Sequence, residues 1–283
     1  MLVSKTVCHP GLVRDLNEDS YISNSDEGVW LVADGVGGNT GGEFASQLAV
    51  QVVERKLRQN LPFLEAIEEA NESILSAVSN QTELEGMATT IIGVKILQNN
   101  FELAWVGDSR AYLIDPKKGI QRLSSDHNVA FELYEHGEIS EAEMLSHQGQ
   151  HELTQALGQE SQLSIPVLNG RLEAGCFLML CTDGLSGVVS EDFIFQTICG
   201  AKHLDQAAEN LLSEVLEAGA PDNVTFTLIH HPQRLTNENE ESAAFKPDAP
   251  QEVHQVPFKN RAIMTWFVLL VVFVTLLLTF YLD

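Results

Sequence analysis

Three apolar segments, Thr89 to Ile96, Phe101 to Val106 and Arg110 to Ile114, follow one another with only short loops between them. Parallel strands need a crossover of about a dozen residues or more, usually a helix, so a run joined this tightly is antiparallel and not βαβ. GVGG at Gly35 to Gly38 fits that exclusion: it neither continues as GxGxxG nor leads into the Lys-Ser/Thr of a phosphate loop. Further β-type runs lie at Trp30 to Ala33, Phe177 to Cys181 and Val224 to Ile229. Helical spacing governs Glu43 to Leu57, through Phe44, Leu48, Val52, Val53 and Leu57, and Phe63 to Val78, through Ile67, Ala70, Ile74 and Val78. The first 230 residues therefore predict a mixed α and β domain whose helices cover sheets.

The rest of the chain is of another kind. Residues 231–258 carry Pro232, Pro247, Pro250 and Pro257 among Asn, Glu and Gln without hydrophobic periodicity, which predicts a disordered tether. Residues 262–282 read AIMTWFVLLVVFVTLLLTFYL, an uncharged run long enough to cross ~30 Å of hydrocarbon as a helix. Lys259 and Arg261 flank it on the N-terminal side, which places the large domain in the cytoplasm under the positive-inside rule. The chain is thus expected to be a single-pass membrane protein that contacts lipid through its C-terminal helix. The N-terminal segment has neither a basic leader nor an apolar stretch, and Cys8, Cys176, Cys181 and Cys199 show no CxxC spacing, as expected of a reducing compartment.

Charge narrows the chemistry. Forty acidic residues against 16 basic ones give a formal charge of -24, a field that repels nucleic acid and suits a site for hard divalent cations. Three apolar runs end in an aspartate beside glycine or asparagine: Val32-Ala33-Asp34-Gly35, Cys181-Thr182-Asp183-Gly184 and Pro221-Asp222-Asn223. Singly, Asp-Gly marks a turn. Together they put carboxylates on rigid strand ends, with a glycine permitting close carbonyl approach, which is what Mg²⁺ or Mn²⁺ requires. Arg14, near Asp15, Glu18 and Asp19, adds a planar guanidinium matched to phosphate oxygens.

The order of motifs resembles the metal-dependent Ser/Thr protein phosphatases, the PPM or type 2C family, in its compact bacterial form. The likeness runs through Arg14-xx-Asn17-Glu18-Asp19, Ala33-Asp34-Gly35-Val36-Gly37-Gly38, Thr89-Thr90, Val106-Gly107-Asp108-Ser109-Arg110, Asp126-His127, Leu153-Thr154-Gln155-Ala156-Leu157-Gly158, Thr182-Asp183-Gly184 and Asp222-Asn223-Val224-Thr225. It implies an α+β fold, a four-layer α/β/β/α sandwich of two antiparallel sheets, and hydrolysis of phosphoserine and phosphothreonine in proteins by water activated between two Mn²⁺ or Mg²⁺ ions. By position, Asp34 would bridge both ions, Asp183 and Asp222 hold the first, the Gly35 carbonyl the second, and Glu18 act through waters. Asp108, helped by Asp183, would form a weaker third site, and Arg14 would bind the phosphoryl group. Implied partners are phosphorylated proteins, namely a Ser/Thr kinase or its substrates, at a bacterial inner membrane.

The sequence also departs from that pattern. Val36 stands where several relatives have a histidine proposed to protonate the leaving alkoxide, which leaves metal-bound water or His127 for that task, with Asp126-His127 equally readable as a structural pair. Gln155 replaces a common arginine. The stretch from Asn128 to His151, read as a flap beside the substrate groove, carries Glu132, Glu135, Glu138, Glu141 and Glu143, which suggests a preference for basic residues around the phosphosite. The competing readings, a catalytically silent module of the same fold or a membrane scaffold, predict missing ligands or leave the ordered aspartates unexplained.

Overall fold

The structure, a computed structural model, describes residues 1–232 except 38–40, 81–83, 85 and 161. Beyond Pro232, the expected tether and the apolar run 262–282 lie outside the described residues, and among those described no helix is long and apolar enough to cross a membrane.

Two five-stranded antiparallel sheets form the domain. One orders its strands β1 (Val3–His9), β12 (Val224–His230), β11 (Phe177–Cys181), β8 (Arg110–Asp115) and β9 (Gly119–Arg122). The other orders β10 (Val167–Arg171), β7 (Asn100–Val106), β6 (Ile91–Leu97), β3 (Val29–Ala33) and β2 (Ser20–Asn24). A two-residue ribbon joins β4 (Gly35–Val36) to β5 (Ala88–Thr89).

Side-chain alternation along the central strands decides the layers. In β3, Trp30 and Val32 join Ile92, Leu103, Trp105, Leu178, Leu180 and Ile229 in a core between the sheets. Leu31 and Ala33 point the other way, onto α1 (Gly41–Arg58) and α2 (Phe63–Asn80). Tyr112, Met179, Phe226 and Leu228 likewise leave the inner core to pack on α6 (Glu191–Gly200) and α7 (Leu204–Glu217). Strands covered on both faces must be apolar at nearly every position, which is why VWLVA and VTFTLIH read as continuous runs. Each large side chain removed completely from water contributes about 1.5–3 kcal/mol.

Three details differ from expectation. Thr89 to Ile96 is two strands broken at Thr90, whose N–H donates to the Asp34 carbonyl at 2.8 Å and whose Oγ1 accepts the Asp34 N–H at 3.0 Å. And β8 does not pair with β7: the chain crosses from one sheet to the other at Gly107–Ser109. Gly107 makes that crossing with φ +103, and a Cβ there would lie 2.6 Å from Thr90 Cγ2. Helix α1 buries Val52, Val53 and Leu57 of its expected face, with Leu48 partly buried, but Phe44 is exposed and Ala45 and Ala49 are buried instead. Its small residues let it lie close to the sheet, where Ser46 Oγ donates to the Glu18 carbonyl at 2.6 Å.

Candidate active site

The strand ends converge. Asp34 follows β3, Asp183 follows β11, Asp222 precedes β12, and Asp108 sits on the crossing between sheets. With Arg14, Glu18 and Gly35 they line a single cleft of about 510 Å³, so every site residue marked in the sequence reaches the same place. Thr90, His151, Leu153 and Gln159 complete the walls.

Asn223 organises the loop that carries Arg14 and Glu18. Its Nδ2 donates to the carbonyls of Pro10 and Leu16, each at 2.9 Å, and its Oδ1 accepts the Glu18 N–H at 2.8 Å. Arg14 Nη2 donates to Asp222 Oδ2 at 2.7 Å, which raises the guanidinium above its ordinary value. Gly35 donates its N–H to the Glu18 carbonyl, and a Cβ on it would lie 2.2 Å from the Gly42 carbonyl oxygen. Close approach of three backbone segments therefore requires glycine here.

Asp19 was overlooked in the sequence, although it stands next to Glu18 in the same motif. It is 6% exposed, its Oδ2 accepts Thr182 Oγ1–H at 3.0 Å, and its Oδ1 has no partner. Burial pushes it up to about 7. Burial also raises Asp34, strongly, together with the charges of Asp19, Asp183 and Asp108. Asp108 is pushed up to about 7 by burial and by Asp183, and Asp183 is raised by burial and Asp222. Glu18 is raised by burial, and its Oε1 is enclosed with no hydrogen-bond partner.

Such crowding is unfavourable unless positive charge enters. The orphaned oxygens of Glu18 and Asp19 and the all-oxygen donor set fit Mg²⁺ or Mn²⁺. Among the described residues no group of three or more acidic, histidine or cysteine side chains is placed to hold an ion by itself.

A pH dependence follows. Carboxylates raised by folding stabilise the domain fully below their unfolded values and lose that contribution as pH rises through their folded ones, here about 7 for Asp19 and Asp108. The melting temperature of chelator-treated protein is therefore expected to fall by ~5–10 °C between pH 5.5 and 8, and Mn²⁺ to raise it more at pH 8 than at pH 5.5. A flat or rising profile without metal contradicts the crowding.

His127 is not on the cleft wall. Its Nδ1 accepts the Gly107 N–H at 3.1 Å and burial lowers it, so it braces the turn that carries Asp108. Asp126 does not pair with it, but takes Arg110 at 2.8 Å and Arg122 beside it. Gln155 Oε1 accepts the Ser164 N–H at 2.8 Å, a loop brace that needs no positive charge. The flap residues form α3 (Val129–Glu135), α4 (Glu141–Met144) and a 3₁₀ turn (Gln148–His151), with all five of its expected glutamates exposed. Glu143 is partly committed, since it closes a capping box with Ser140.

Comparison with known proteins gives consistent matches. The sequence profile described as Protein phosphatase 2C matches residues 13–225. Serine/threonine phosphatase stp of Listeria monocytogenes is 28% identical over 232 residues, covering 77% of this chain and 92% of that one. The crystal structure of the Mycobacterium tuberculosis serine/threonine phosphatase PstP/Ppp superposes with a TM-score of 0.75 at 28% identity, covering 82% of this chain and 99% of that one. A catalytic domain of serine/threonine protein phosphatase PstP in complex with two manganese ions gives a TM-score of 0.73 at 28% identity, with the same coverage, 82% and 99%.

Proposed function

Starting from the fact that this chain belongs to the protein phosphatase 2C family and is a protein-serine/threonine phosphatase using two Mn²⁺ or Mg²⁺ ions, we propose how its own residues divide the work. The observation that carries the assignment is the convergence of Arg14, Glu18, Asp34, Gly35, Asp108, Asp183 and Asp222 on one buried cleft. Asp34 would hold both ions, Asp183 and Asp222 the first and the Gly35 carbonyl the second, with Glu18 acting through waters and Asp108, helped by Asp183, holding a weaker third. When bound, the ions supply an acidified water and neutralise charge that develops on the phosphoryl oxygens.

Arg14 orients the phosphoryl group. Its guanidinium is half exposed at the mouth of the cleft, so it can turn from Asp222 to the incoming dianion, whose charge is greater. Asn223 holds the loop in register, so that Arg14 and Glu18 keep a fixed offset from Asp222. Asp19 orients Thr182 and hence the segment leading to Asp183. The exposed glutamates of the flap favour basic residues around the phosphosite.

The substrates are phosphorylated proteins, a Ser/Thr kinase or its targets. Residues 262–282 would hold the enzyme at a membrane with the catalytic domain in the cytoplasm, supported by their uncharged length and by Lys259 and Arg261 beside them. The test is Mn²⁺-dependent release of phosphate from a phosphoserine peptide, measured beside membrane fractionation, for the full chain and for a chain ending at His231. Activity in both and pelleting of the longer one alone is expected. A full chain silent with metal refutes the site assignment, and a soluble full chain refutes the anchor.

A further inference from the structure

Hydrolysis of phosphoserine or phosphothreonine expels an alkoxide, a poor leaving group that needs a proton as the P–O bond breaks. Building on the phosphatase reading above, we infer that His151 gives that proton, its imidazolium donating to the departing serine or threonine oxygen.

The walls of the cleft leave little choice. Asp222 holds Arg14 firmly in its protonated form, so the guanidinium is no proton donor. The carboxylates are the oxygens assigned to the cations, which keep such ligands ionised. Val36, exposed at the rim, carries no proton to give. His127 is turned away, with Nδ1 committed to the Gly107 N–H. Among the described residues that line the cleft, His151 is the histidine, with no lysine, tyrosine or cysteine beside it. A histidine is also the side chain best suited to give and regain a proton near neutral pH.

His151 is itself solvent-exposed, but its backbone position is fixed. His151 ends the 3₁₀ turn, which begins with His147 Nδ1 accepting the Gly149 N–H at 3.0 Å. The following residues tie back to the floor: Val129 N–H donates to Glu152 O at 3.0 Å and Thr154 N–H to His127 O at 2.9 Å. His127 in turn accepts from Gly107, next to Asp108, so the turn bearing His151 is fixed to the site through two short links.

The step balances without another reagent. Water adds its oxygen to phosphorus and releases a proton to solvent. The bond from phosphorus to the serine or threonine oxygen breaks, that oxygen keeps the electron pair and takes the proton of His151, and the neutral imidazole recovers a proton from solvent. Phosphoester and water become alcohol and phosphate.

The experiment compares H151Q and H151N with the wild-type full chain at saturating Mn²⁺ on two substrates. One is a phosphoserine peptide; the other is p-nitrophenyl phosphate, whose phenolate leaves without a proton. Turnover of the peptide is expected to fall about 10²-fold and that of the aryl ester less than ~3-fold, with Mn²⁺ affinity by calorimetry unchanged. Equal losses on both substrates, an undiminished peptide rate or weakened Mn²⁺ binding overturns the assignment, and so does a loss of melting temperature in both variants, which makes His151 a packing residue. A wild-type chain inactive on both substrates would instead overturn the underlying phosphatase reading.

Discussion

Asp34→Asn is expected to reduce Mn²⁺-dependent hydrolysis by at least ~10³-fold, because it removes the one carboxylate assigned to both ions. The fold should survive. The Asp34 backbone is held by its bonds to Thr90, and asparagine has nearly the same volume, so neither the strand end nor the packing is disturbed. Without metal the variant should even melt higher than wild type at pH 8, since burial and the charges of Asp19, Asp183 and Asp108 all disfavour an ionised Asp34. Activity and stability thus move in opposite directions, a signature that a merely destabilising substitution does not give. Near-normal turnover, or a lower melting temperature of the chelated variant, would contradict the role given to this residue.

Arg14→Ala should lower kcat/KM for a phosphoserine peptide by about 10³-fold through loss of phosphoryl binding and orientation. A guanidinium that binds phosphate without touching the ions would by itself leave metal affinity unchanged. The structure revises that expectation. Arg14 stands 2.7 Å from Asp222, a carboxylate assigned to the first ion, and its positive charge competes with the cation for it. Removing Arg14 should therefore tighten Mn²⁺ binding modestly while activity falls. Calorimetry on the substrate-free variant decides the point, because weaker binding would mean that Arg14 supports Asp222 instead of competing for it.

What was legible in the sequence follows from burial. The central strands are covered on both faces and so appear as apolar runs; the edge strands β1, β2, β9 and β10 are half exposed and read as polar loops. Asp34, Asp183 and Asp222 could be found because each stands at one end of a buried strand beside glycine or asparagine, whereas Asp108, on the crossing between sheets, came only from the order of motifs. Asp19 was missed since the strand it precedes, β2, is half exposed and gives no apolar run to mark its start; its importance lies in burial against Thr182, a contact between residues 163 apart. His151 was passed over as part of an acidic flap, because composition does not tell which flap residue reaches the cleft and only the fold brings this one to its wall. In α1, periodicity found Val52, Val53 and Leu57 but wrongly included the large Phe44, because close approach to the sheet selects the small Ala45 and Ala49.

The crossing at Gly107–Ser109 joins the two sheets next to the carboxylates, and the carboxylates themselves come from both sheets: Asp34 from one, Asp183 and Asp222 from the other. Bound cations would therefore act as a clasp on a book, closing its two covers along one edge. Breathing of the sandwich and loss of metal become a single event, so slowed amide exchange at this edge of β3, β11 and β12 reports occupancy of the site without any substrate. Distance between the sheets is then a catalytic variable, and the tryptophans packed between them, Trp30 and Trp105, set the thickness of the spine against which the clasp closes.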